Sequence, residues 1–177
     1  MRLVLAADSR VLIDLRATGL LRAVGHDPTL SAVPPEITLE VPDATGTELD
    51  LAVEARIPVD AIEPPADMSA SDRAQMRDNL RGPDVLDAAR WPTVDFRGRF
   101  AGTLERGRLS GTFVVRGTAR PMAMDVAIVT RDAELVAEGD WTGTLTELGI
   151  KPFRALLGAL KLKDWIRLRL RLRWGAR

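Results

Sequence analysis

Apolar and polar positions alternate with a period of two along most of this chain. The run Trp165 to Trp174 is the most regular, with Ile166, Leu168, Leu170 and Leu172 on one side and Arg167, Arg169, Arg171 and Arg173 on the other. Successive side chains of a strand point to opposite faces, so this is a strand with one apolar and one cationic face. A helix of the same composition would spread both classes around its circumference. The stripe recurs in Val11, Ile13 and Leu15; in Ile37, Leu39 and Val41; and in Leu51, Val53, Ala55, Ile57 and Val59. Further on come Val94, Phe96 and Phe100; Leu109, Phe113 and Val115; Met122, Met124, Val126 and Ile128; and Leu135, Ala137 and Trp141. Together these predict about eight strands, each with one buried face, as in antiparallel rather than parallel sheets.

Two segments depart from the period. Ser69 to Arg81 reads as a helix: Ser69 is placed to cap it, Asp72 follows three residues on, and Gly82-Pro83 stops it. Met76 and Leu80 fall four apart on one face and form its docking stripe. A short turn is expected over Asp84 to Ala89. The second departure is Phe153 to Leu162, where Leu156, Leu157 and Leu160 follow a helical spacing after Pro152. Hairpin turns are expected at Glu105-Arg106-Gly107 and Arg131-Asp132, with Pro34-Pro35 and Thr45-Gly46 punctuating the front half.

The fold class this predicts is all-β: a single domain over residues 1–177, built as a roughly eight-stranded antiparallel barrel with one or two short inserted helices. A two-sheet sandwich is the alternative, but closure removes exposed edges. A barrel of about eight strands is just wide enough to be filled by side chains or to hold one small ligand.

Composition narrows the function. The 25 basic residues are matched by 25 acidic ones, so the formal net charge is zero. A nucleic-acid partner is therefore not expected, since such binders carry a basic excess. The absence of cysteine removes disulfides, thiolate metal sites and cysteine nucleophiles. Before Asp8 the N-terminus has too few apolar residues for a secretory signal, and no window approaches the ~20 of a membrane-spanning helix. The expectation is a soluble, cytoplasmic protein without a transmembrane segment.

Candidate chemistry is sparse. His26, in Gly25-His26-Asp27-Pro28, is the only histidine. It is either a general base oriented by Asp27 or a turn residue bonded locally, and no nucleophile set accompanies it. Asp60, Glu63 and Asp67, around Pro64-Pro65, read as a solvated loop rather than an acid–base pair. The Arg face of 167–173 admits phosphate binding, but Glu134, Glu138 and Asp140 are available to neutralise it across the sheet. Met122 and Met124 suit either an irregular apolar cavity or a plain core. From the residues alone the barrel is either hollow or solid.

Several segments together resemble the YceI-like family of polyisoprenoid-binding proteins. The first is Ser71 to Leu80, followed by Val85-Leu86-Asp87 and then Trp91-Pro92-Thr93-Val94-Asp95-Phe96; the second is Leu109 to Pro121; the third is Leu148-Gly149-Ile150. Their order and spacing match the family from about residue 10 to 174. The resemblance implies a lipocalin-like barrel with an apolar tunnel for an isoprenoid or a similar amphiphilic chain. On this reading the protein is not an enzyme but binds, carries or sequesters an isoprenoid, quinone or related lipid. No cofactor is expected beyond such a bound lipid, and a homodimer is left open. Ile13, Leu15, Val53, Ile57, Phe96, Phe113, Met122, Met124, Trp141, Leu168 and Leu170 are expected to line the tunnel. Met76, Leu80 and Leu156 are expected over its ends. The competing readings are a lipid-modifying enzyme using His26 and a solid-cored interaction module using the Arg face of the last strand.

Overall fold

A computed structural model describes residues 2–18, 27–33, 38–40, 48–131, 134–152, 154–155 and 160–176. The strands in chain order are β1 (Arg2–Leu5), β2 (Arg10–Thr18), β3 (Thr29–Ala32), β4 (Thr38–Glu40), β5 (Leu49–Pro58) and β6 (Ile62–Glu63). They continue with β7 (Thr93–Gly102), β8 (Arg106–Val115), β9 (Thr118–Arg131), β10 (Glu134–Gly143), β11 (Arg154–Ala155) and β12 (Leu160–Ala176). One α-helix, α1 (Ala70–Arg81), lies between β6 and β7.

All pairings are antiparallel, in the order β5-β7-β8-β9-β10-β12-β2-β3-β6, with β1, β4 and β11 attached beside this path. The path therefore has nine strands where the periodicity counts about eight. Its two ends, β5 and β6, are joined by the single turn Val59–Ala61, so they lie within about 15 Å of each other. That tether curls the sheet into a barrel.

The cross-strand register shows how the strands tilt. One row of partners runs from Ile62 through Ala32, Val11 and Leu170 to Gly139. It continues through Val126, Gly107 and Gly102 to Leu49. The row leaves the chain just after β5 and returns at the start of β5, the stagger that a closed sheet requires. Every position on it has inward parity. The alternation therefore sets which face is buried, and the stagger sets how far along the axis each side chain sits.

α1 forms as the sequence predicts. Ser69 Oγ accepts the Asp72 N–H at 3.1 Å, and the Gly82 N–H closes the last turn on Asp78 and Asn79. Met76 and Leu80 are buried against the barrel end at which β5 finishes. Two of the carboxylates around Pro64-Pro65 pair with the helix: Glu63 accepts from Arg77 at 2.6 Å and Asp60 pairs with Arg81 at 2.7 Å. Beyond α1, the Asp87 backbone adopts φ +50° and its carbonyl accepts the N–H groups of Arg90 and Trp91. The Trp91 ring then covers Gly117, where φ is +69° and any Cβ would meet the indole.

The expected helix over Phe153 to Leu162 is corrected. Arg154–Ala155 pairs with Leu160–Lys161, so the described parts of this segment are two strands of a hairpin. In those parts backbone pairing to β12 decides the conformation. Leu156 and Leu157 lie outside the described residues. The turn between β7 and β8 is Thr103–Glu105, slightly earlier than expected, and is closed by the Thr103 N–H on the Arg106 carbonyl. Strands β1, β3 and β6 are additions to the periodicity reading.

Candidate functional site

The inward stripes do not fill the barrel. They surround a cavity of about 180 Å³ whose lining is entirely apolar. The wall is contributed by nearly every long strand: Val11, Ile13 and Leu15 from β2; Val53, Ala55 and Ile57 from β5; Val94 and Phe96 from β7. Leu109, Phe113 and Val115 come from β8, Met122 and Met124 from β9, and Ile166, Leu168, Leu170 and Leu172 from β12.

Wall glycines make room for the aromatic rings. Gly98 and Gly111 face each other across β7 and β8, and the Phe96 Cζ sits 2.8 Å from where a Cβ on either would lie. The ring thus lies against bare backbone instead of across the cavity.

One end is lined by side chains from outside the long strands. Leu80 on α1 and Val85 and Leu86 in the turn after it reach the cavity, as do Leu145, Leu148 and Ile150 from the segment between β10 and β11. That segment is held by a bulge in β12, where the register with β2 shifts between Leu162 and Ile166. The bulge presents Asp164, whose carboxylate accepts the Thr146 N–H at 2.9 Å and the Thr146 hydroxyl at 2.7 Å. These hydrogen bonds, the backbone one first, hold the Asp164 carboxyl below its ordinary pKa. Arg120 Nε donates to the Glu147 carbonyl at 2.6 Å and ties the segment to β9.

Of the residues expected to form the site, Ile13, Leu15, Val53, Ile57, Leu80, Phe96, Phe113, Met122, Met124, Leu168 and Leu170 line the cavity. Met76 is buried beneath α1 without reaching it. Trp141 is half-buried and packs beside Gly143, because the β9–β10 ladder stops at Val126 and Gly139 and the strands part there. Leu156 lies outside the described residues. The expected lining does not include Val85, Leu86, Leu145, Leu148 and Ile150, which sit in turns without periodicity, although Val85-Leu86 and Leu148-Gly149-Ile150 are among the segments that carry the family resemblance.

Polar chemistry gathers elsewhere. His26 lies outside the described residues; one oxygen of the neighbouring Asp27 carboxylate accepts the Ala17 N–H at 2.9 Å. Among the described residues no group of three or more His, Cys, Asp or Glu is placed to hold a metal ion. No helix among them is long and apolar enough to cross a membrane. On the outer face, Arg167 pairs with Asp140, Arg169 with Asp14, and Arg173 with Asp8 and Glu134. The Arg stripe is thereby largely neutralised by its own sheet.

The model of the YceI-like domain matches residues 16–173. The chain belongs to the YceI-like family. This family is one of binding proteins, known for polyisoprenoid binding, and a binding role follows at that level. Among solved structures, Burkholderia cenocepacia BcnA is similar with a TM-score of 0.64 at 12% identity, over 94% of this chain and 96% of that one. The Campylobacter jejuni YCEI protein is similar with a TM-score of 0.56 at 11% identity, over 78% of this chain and 88% of its own. At these identities the likeness is one of fold, and both relatives share the YceI-like barrel. No match is found among curated protein sequences.

Proposed function

We propose that this YceI-like protein binds an apolar or amphiphilic chain, such as an isoprenoid, quinone or similar lipid, inside the barrel and carries or sequesters it without catalysis. The observation that carries this reading is the cavity itself, lined by apolar side chains from every quarter of the barrel. Burying an alkyl chain there yields roughly 0.8 kcal/mol per methylene. With no polar group on the wall to pair with, a polar head group is better left outside the cavity in water. No cofactor is needed beyond the bound chain.

Organic extraction of freshly purified protein, combined with native mass spectrometry, tests the proposal. A mass excess that disappears on extraction and matches an apolar molecule is expected. A clean apo mass, with no uptake of added alcohols or isoprenoids, overturns it.

A further inference from the structure

The apolar interior does not run the length of the barrel. At the end opposite α1 the inward side chains are buried yet do not line the cavity: Phe100 is 6% exposed, Trp174 5%, Leu135 6% and Leu49 4%. The boundary is sharp. Leu172 lines the cavity while Trp174, the next inward residue of β12, does not. Leu109 lines it while Phe100, its direct cross-strand partner, does not. The Phe100 ring rests on Gly107, where a Cβ would lie 2.5 Å from Cε2. The ring therefore packs on the inner face of β8 below Leu109, and Trp174 faces Leu135 across β12 and β10, so this end of the interior is filled by buried side chains rather than left open.

We propose that Phe100, with Trp174 behind it, is the floor of the cavity and sets an upper limit on the length of the bound chain. This rests on the binding reading above and narrows it. An apolar cavity of about 150 Å³ takes one benzene, six carbons. The 180 Å³ here, with Met122 and Met124 free to adapt, holds an apolar segment of about ten carbons or fewer. The ligand class is a short or medium apolar chain, and a longer one must leave its remainder outside.

The test is calorimetric binding of primary alcohols from about six to about eighteen carbons to the full chain and to Phe100→Ala. Each added methylene should tighten binding about fourfold up to the limit and have no effect beyond it. In Phe100→Ala that break should move outward by about four carbons, because the ring no longer blocks the lumen. Should the alanine variant fold poorly, Phe100→Leu serves, with a smaller shift in the same direction. Affinity that rises unbroken to the longest alcohol in the wild type, or a break at the same length in both proteins, overturns the floor while leaving the binding reading intact. No binding of any alcohol, together with a clean apo mass, overturns both.

Discussion

Arg169 on β12 donates to both carboxylate oxygens of Asp14 on β2, at 2.6 and 2.7 Å. Their side chains are 28% and 18% exposed, so the pair is partly shielded from water. Thr29 donates to the same carboxylate at 2.8 Å and extends the contact to β3. The forked geometry matches guanidinium to carboxylate and is worth more than a loose surface pair. A double-mutant cycle of Asp14→Ala and Arg169→Ala should give a coupling of about 1–2 kcal/mol in urea unfolding. A coupling near zero would show that the pair contributes nothing to stability.

The same pair makes a pH prediction. Burial pushes the Asp14 carboxyl up, but hydrogen bonds from Arg169 and Thr29, with the charges of Arg169 and Arg167, outweigh it and leave the pKa lowered. A depressed folded pKa means stability that is fully present above the unfolded value near 4 and is lost as the pH falls through the folded value. Wild type should therefore exceed Asp14→Asn in Tm at neutral pH, and the gap should close as the pH drops below about 4. A gap that stays constant through acid pH rules out this linkage.

The wall glycines predict a second kind of sensitivity. A Cβ at Gly111 would lie 2.5 Å from the Gly98 Cα and 2.8 Å from the Phe96 ring, and at Gly98 it would meet the Ser110 carbonyl. Since backbone rather than a flexible side chain stands in the way, Gly98→Ala and Gly111→Ala should each cost about 1–3 kcal/mol. Gly175, which has nothing within 4 Å of its Cβ position, is the control, and its alanine variant should be within about 0.5 kcal/mol of wild type. Chemical denaturation of the three variants distinguishes a general strand preference from the specific closeness of β7 and β8.

Most of the barrel was legible because a strand with one buried face leaves a period of two in its side chains. Residues 166–173 display that pattern, and the structure puts Leu168 inside and Arg169 outside as the parity demands. Helix α1 was legible for a different reason: its start and stop signals, Ser69 and Gly82, are local. β3 and β6, of 4 and 2 residues, are too short to establish a period. Leu145, Leu148 and Ile150 fill the cavity's end from a turn, where no periodicity operates. Parity also says nothing about position along the axis. Phe100 and Leu109 both point inward, yet only Leu109 reaches the cavity, because that distinction depends on the stagger accumulated around the whole sheet.

The capping of α1 is a local interaction with a local cost. Ser69 Oγ is the acceptor for the Asp72 N–H at 3.1 Å, and Ser69→Ala leaves that donor to water. A loss of about 1 kcal/mol is expected in thermal or urea unfolding, and Ser69→Asp should retain most of the stability because its carboxylate accepts the same bond and suits the helix N-terminus. If alanine and aspartate cost the same, the hydrogen bond contributes nothing and packing of Met76 and Leu80 alone holds the helix.

Asp164 holds the end of the cavity rather than the barrel as a whole. Its carboxylate fixes Thr146, and the turn that follows is closed by the Leu148 and Ile150 N–H groups on the Leu145 carbonyl. Those residues carry Leu145, Leu148 and Ile150 into the cavity, whereas the ladder of β7 and β8 neither touches Asp164 nor depends on it. In Asp164→Ala, amide exchange at Leu148 and Ile150 should therefore rise by about tenfold or more while Phe96 and Leu109 stay as protected as in wild type. Acid should mimic the substitution, since the Asp164 pKa is lowered by its bonds to Thr146 and its hold is lost as the pH falls through that lowered value. Exchange that accelerates equally across β7, β8 and the turn would mean that Asp164 stabilises the global fold, and the separate opening of this end would have to be abandoned.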